Sequence, residues 1–211
     1  MWEGILLERK IFLISQSKTL LTYITTALIS LTFPFKWEQA TIPILPEKLR
    51  IFIDSPVPSI IGICFKVDMS EFPPESIVVN IDKCSVEKYL DKLPKLPTKF
   101  LQIMMKRLEK YKDKYNDPDD LSKANNCDEA FNMVMDINEN DNIFDVNEIK
   151  DIFYEFFVLH FKNYEKYFGF KNKKSKEKEN LIFNKELFLK DHSSNDVILK
   201  IIKFLGWIIF V

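Results

Sequence analysis

The chain is 211 residues long, 46% hydrophobic and 14% aromatic, enough for one large domain or two small ones around a buried core. Its 30 basic and 31 acidic side chains leave a net charge of −1. That balance excludes the basic surplus by which nucleic-acid-binding proteins track phosphates. Lys10 to Ser15, "KIFLIS", is a short apolar run ending in a small polar residue, the pattern of a buried strand entering a helix. From Ser17, Leu20, Leu21, Ile24, Leu28 and Leu31 follow helical spacing, and the helix should stop before Pro34. "QATIPIL" reads as a strand that Pro43 confines to an edge or terminates. Pro46 then opens a short helix with Glu47 in its first turn. "SIIGICF" and "SIVVNID" are two further β-branched runs.

Strands alternating with helices over roughly Ile5 to Ile81 predict an α/β fold, a mainly parallel sheet with flanking helices, within a first unit of residues 1–115. The remainder reads as all-helical. "TKFLQIMMKRLEKYKDKY" places Phe100, Met104 or Ile103, Leu108 and Tyr111 on one side. Residues 116–147 are expected to form a polar, acidic linker region with a short helix. Residues 148–211 form a helical segment whose Phe153, Phe156, Phe157, His160, Phe161 and Tyr164 make a wide aromatic face. His160 is expected in the core or at its rim. "KNKKSKEKEN", with its lysines from Lys171 to Lys178, reads as a solvated charge run.

Neither "KTLLTYITTALISLTFPF" nor "VILKIIKFLGWIIFV" suits a membrane span. The first is amphipathic and rich in threonine, and the second is short and holds Lys200 and Lys203. The N-terminus lacks the pattern of a signal peptide and opens in what reads as structured sequence. The expectation is a fragment, or a gene model without its start. Cys64, Cys84 and Cys127 are odd in number and form no CxxC pair, so neither a zinc site nor a secreted disulfide framework is indicated. They are expected to be reduced cytosolic thiols, mostly buried.

Enzymatic signatures are missing. There is no phosphate-cradling glycine loop, and His160 and His192 stand in no metalloprotease or nucleophile-elbow pattern. "DINENDNIFDVNE" resembles a calcium loop, with Asp136, Asn138 and Asn140 at positions one, three and five and Ile143 at eight. Its sixth position is Asp141 instead of glycine, its twelfth is Asn147, and Glu148 comes one residue late, so an acidic linker is the reading taken. No cofactor or metal is expected.

The stretch from Phe33 to Ile63, "FPFKWEQATIPILPEKLRIFIDSPVPSIIGI", gathers Pro34, Pro43, Pro46, Pro56 and Pro58, half of the chain's ten prolines. Preceded by "LLERKIFLIS", it resembles the central segment of the DENN domain. The resemblance rests on Leu7 and Glu8, on Pro34, Phe35 and Trp37, on Ile42, Pro43, Leu45 and Pro46, and on Pro56, Pro58 and Gly62. "IVVNID", ending in Asp82, is similar to the family's next strand. "LPKLPTKFLQIMMKRL" and "DIFYEFFVLHFKNYEKYF" are similar to later, less specific parts, and the upstream longin-like part of a DENN module is not recognised.

The resemblance implies a guanine-nucleotide exchange factor for a Rab-family small GTPase, cytoplasmic and peripheral on vesicle or endosomal membranes. It implies no nucleic acid and no small-molecule substrate. Some DENN-related proteins are linked to GTP hydrolysis through an arginine, but no context singles out Arg9, Arg50 or Arg107. A non-exchanging adaptor in vesicle traffic is the alternative, with a calcium-binding helical module behind it. Residues expected to touch the partner are Ser15, Gln16 and Ser17 after the first strand, and Asn80 and Asp82 after a later one, because ligands collect at strand carboxyl ends in open α/β sheets. Trp37, Asp54, Pro56 and Pro58 complete the set as anchors of a rigid surface. Helix capping competes with contact for Ser17, turn formation for Asp82, and core packing for Trp37.

Overall fold

A computed structural model describes residues 1–88, 96–112, 145–170 and 181–191. Helix α1 (Trp2–Leu6) leads into β1 (Lys10–Ile14), α2 (Lys18–Ser30) and β2 (Ala40–Ile42). A 3-10 segment (Glu47–Asp54) precedes β3 (Ser59–Ile63), and a second (Met69–Glu71) precedes β4 (Ser76–Asn80) and β5 (Ser85–Lys88). Helices α3 (Thr98–Lys112) and α4 (Val146–Phe161), a hairpin of β6 (Phe168–Phe170) and β7 (Leu181–Phe183), and α5 (Lys185–Asp191) complete the described chain.

The sheet runs β2-β3-β1-β4-β5. Its first four strands are parallel, and β5 returns antiparallel to β4. Both faces of the central strands are covered, which is why they read as continuous apolar runs instead of alternating ones. Ile11, Leu13, Ile60, Ile77 and Val79 face the helices, in one cluster with Trp2, Leu21, Phe100 and Phe156. Phe12, Ile61, Ile63 and Val78 face the other way, onto Leu45, Ile53 and Phe72 of the 3-10 side, and the Phe12 and Phe72 rings lie 4.9 Å apart.

The predicted α/β sheet with flanking helices is present, with β2 at an edge ahead of Pro43. α2 starts at its expected cap and stops before Pro34, and it buries Leu21, Thr25 and Leu28. On α3, Met104 is buried and Ile103 exposed, so Met104 takes the inner position. Two features are new. α1 seats Trp2 between sheet and helices: its Nε1 donates to the Leu31 carbonyl at 3.2 Å, and its ring meets Phe153, Phe156 and Phe157 edge-on at 4.9–5.9 Å. The β6–β7 hairpin interrupts the helices of the C-terminal part, continued by Asn184 N–H donating to the Tyr167 carbonyl at 2.7 Å.

The expectation of mostly buried cysteines is corrected. Cys84 is exposed, at φ 49° in the tight β4–β5 turn, and Cys64 is half-buried just past β3. The turn leaves Cys84 no interior to face. Cys127, Asp136, Asn138, Asn140, His192 and the lysine run from Lys171 to Lys178 lie outside the described residues. Among the described residues no helix is long and apolar enough to cross a membrane.

Helices α3 and α4 are held by a surface network. Glu148 accepts from the Lys110 ammonium and from the Tyr111 hydroxyl at 2.6 Å, while Arg107 pairs with Glu155 at 2.7 Å. Lys110, and then the Tyr111 hydroxyl, hold the Glu148 carboxyl below its ordinary value, and the same bonds raise Lys110 and Tyr111 above theirs. The signs give a window. The Glu148 contribution is complete above the unfolded glutamate value and is lost as pH falls through the lowered folded one. The Lys110 and Tyr111 contributions persist until pH rises through their raised values. Glu148→Gln should therefore lower the melting midpoint at neutral pH and converge with the native chain once pH has fallen below the lowered Glu148 value. A difference that persists undiminished in acid would contradict the network. The effect is small because Lys110 is exposed, Glu148 is only partly buried and salt screens the pair.

Candidate partner-binding site

The parallel strands β1, β3 and β4 end at one edge of the sheet, and two bonds carry the ladder past it. Ser15 N–H donates to the Ile63 carbonyl at 3.1 Å, and Ile81 N–H to the Ile14 carbonyl at 2.8 Å. This brings Asp82 beside the β1–α2 turn. One carboxylate oxygen accepts from the Ser15 hydroxyl at 2.6 Å, and the other from the Gln16 amide at 2.9 Å. The Ser15 hydroxyl accepts in turn from Ser17 N–H at 3.0 Å. Ser17 caps α2, its Oγ accepting from Leu20 N–H at 3.2 Å. Asn80 closes the following turn, its Oδ1 accepting from Lys83 N–H at 3.0 Å.

Five of the nine expected residues thus share one edge: Ser15, Gln16, Ser17, Asn80 and Asp82. The two serines are buried and serve the framework, while Gln16 and Asp82 are exposed. The Asp82 charge lies near the amino end of α2, where the helix dipole favours an anion. The Ser15 hydroxyl that donates to Asp82 is buried, and among the described residues no cluster of His, Cys, Asp and Glu could hold a metal. The arrangement suits recognition: one ordered carboxylate and one amide side chain presented by a pinned turn.

The other four residues stand at the opposite edge, before the first residues of β2 and β3. Asp54 and Pro56 are exposed, and Pro58 is half-buried at the entry to β3. Nearby in the chain, Leu49, Ile51, Phe52 and Val57 are exposed as well, Ile51 at 80%. Trp37 packs partly against the helix-side core, and its Nε1 is shielded without an acceptor. A groove of about 850 Å³ runs beside it, between residues 29–37 and the face of α4 carrying Asn147, Asp151 and Tyr154. Phe33, 64% exposed, and Tyr154, 38% exposed, pair at its border with ring centroids 5.5 Å apart. Sequence reasoning found Trp37 but not its groove. Tyr154 joins it only through the rotation of α4, which the apolar spacing fixes for buried residues and not for their neighbours.

Residues 1–84 match the family model of the DENN (AEX-3) domain. These residues are a DENN segment. Both halves of the carboxyl-edge cluster, the Ser15–Ser17 turn and Asp82, fall inside it. Over 138 residues the chain is 28% identical to DENN domain-containing protein 2C of Homo sapiens, covering 61% of this chain and 15% of that protein. It is 31% identical over 88 residues to Elicitor of plant defense protein 1 of Fusarium odoratissimum, covering 41% of this chain and 10% of that one. It is 29% identical over 97 residues to DENN domain and WD repeat-containing protein SCD1 of Arabidopsis thaliana, covering 44% and 8%. The chain thus spans at most 15% of the length of each of these three proteins.

Proposed function

We propose that this chain supplies the central lobe and part of the downstream lobe of a DENN module that binds a Rab-family GTPase and promotes GDP/GTP exchange in membrane traffic. The reading is carried by the Asp82–Ser15–Gln16 cluster, which lies at the carboxyl edge of the sheet and within the DENN match. Exchange needs no covalent step. The partner must prefer the nucleotide-free GTPase to the loaded one, and that difference in affinity drives release. A turn fixed in advance loses little entropy on binding, so more of its contact energy remains available for the difference.

The test is release of fluorescent GDP from a panel of purified Rab proteins, with and without the folded chain. Acceleration on one or two of them is expected. Asp82→Ala leaves the Ser15 hydroxyl and the Gln16 amide without their acceptor. It should slow exchange by about tenfold, the scale of losing one side of a charged contact, while the melting midpoint falls by only a few degrees. A folded chain that binds a Rab without accelerating release would establish an adaptor. No binding to any Rab would overturn the reading.

A further inference from the structure

We infer, taking the Rab-binding function proposed above as given, that Gln16 is the side chain by which the carboxyl edge touches its GTPase. It reads an uncharged peptide unit there, and Asp82 and Ser15 act on the partner through the position they give Gln16.

The hydrogen bonds of the turn are the first reason. Its three successive backbone N–H groups are all engaged: Ser15 with the Ile63 carbonyl at 3.1 Å, Gln16 with one Asp82 oxygen at 2.9 Å, and Ser17 with the Ser15 hydroxyl at 3.0 Å. The Ser15 hydroxyl donates to the other Asp82 oxygen at 2.6 Å, and Ser17 Oγ caps α2. The Gln16 side chain is the exception. It is exposed, and among the described residues its carboxamide makes no hydrogen bond. Two donors and an acceptor are thus left over at the middle of a turn whose backbone is already fixed. Little backbone freedom is lost when such a group binds. Asp82 is exposed too, but both of its oxygens already accept from the turn.

Charge narrows what Gln16 meets. Lys18 stands two residues beyond it and Lys83 directly follows Asp82, and both lysines are exposed. Two cations beside one carboxylate present no surface of a single sign, so neither a cationic nor an anionic partner group is favoured. A carboxamide offers a donor and an acceptor in one plane, the complement of a peptide N–H and C=O. That match carries no net charge.

The experiment measures affinity for the nucleotide-free form of whichever Rab in a purified panel the native chain binds. Gln16→Ala should weaken binding by about tenfold, the scale of a lost hydrogen-bonded pair, with an unchanged melt. The loss should be the same between about 0.05 and 0.5 M salt, because a neutral contact is not screened. Gln16→Glu and Gln16→Lys should weaken binding as well. Asp82→Ala should weaken the native chain yet add nothing in the Gln16→Ala background, which a general loosening of the fold would not reproduce. Tighter binding by the Glu or the Lys variant would mean a charged partner group and overturn the inference. So would additive losses, which would put Asp82 itself in contact. Rab binding that Gln16→Ala leaves untouched would remove the role of Gln16 while the proposed function stands. Failure of the native chain to bind any Rab would remove both.

Discussion

Gly62→Ala is expected to be among the most damaging single substitutions in the sheet, costing about 3 kcal/mol or preventing folding outright. A Cβ built on Gly62 would lie 1.9 Å from the Pro43 carbonyl oxygen and 2.9 Å from its carbon. Leu21 Cβ stands at 3.3 Å on the same side. The obstructing atoms are backbone and cannot rotate away. They are also fixed from below, because Leu45 N–H donates to the Gly62 carbonyl at 2.8 Å. The constraint is therefore one of close approach. Gly62 carries no left-handed φ; it is needed because the Pro43 carbonyl, just past β2, sits directly against it. Gly4→Ala is the control. Its Cβ would meet the end of the Ile77 side chain at 2.3 Å, and that δ-methyl can turn aside. Urea denaturation of the two variants should show a large loss for Gly62→Ala and a mild one for Gly4→Ala. Equal losses would mean that the close approach at Pro43 relaxes more easily than its geometry implies.

The same position shows what was legible in the sequence. The runs around Ile11, Ile60 and Ile77 announce strands buried on both faces, since only a covered parallel sheet tolerates such continuous apolar sequence. Pro43 marks the edge, and Ser17 and Pro34 bracket α2, because each restricts the backbone locally. Asp82 and Ser15 could be named from the rule that sites gather at strand carboxyl ends. That the carboxylate ties down the turn, through bonds spanning 66 and 67 residues, depends on register and leaves no local trace. Trp37, Asp54, Pro56 and Pro58 enter the expected set through one proline-rich stretch read as a rigid surface, and nothing local in that stretch says which end of the sheet it occupies: Trp37 precedes β2, and Asp54, Pro56 and Pro58 precede β3. The hairpin β6–β7 was hidden for a related reason: three-residue strands are too short to set a period.

Phe156→Ala tests whether the DENN segment and the helix beyond it fold as one unit. Phe156 lies on α4, outside residues 1–84, yet it is fully buried in the cluster that covers the sheet. Its ring meets Trp2 at 5.3 Å, Phe100 at 5.2 Å, Phe157 at 5.4 Å and His160 at 4.4 Å. It therefore touches α1, α3 and its own helix at once. Truncation to alanine removes the burial of a whole phenyl ring and leaves a cavity among rings already pinned by one another, a loss of about 3–5 kcal/mol. Phe156→Leu keeps most of the volume and should cost about 1–2 kcal/mol. Trp2 reports the change directly, because its indole sits against Phe156 while its Nε1 holds the Leu31 carbonyl at the end of α2. If sheet and helices share one cooperative core, tryptophan fluorescence and far-ultraviolet circular dichroism should shift together to lower denaturant. A Phe156→Ala midpoint equal to that of the native chain would detach α4 from the core. Two separated transitions would make the DENN segment a unit that stands without it.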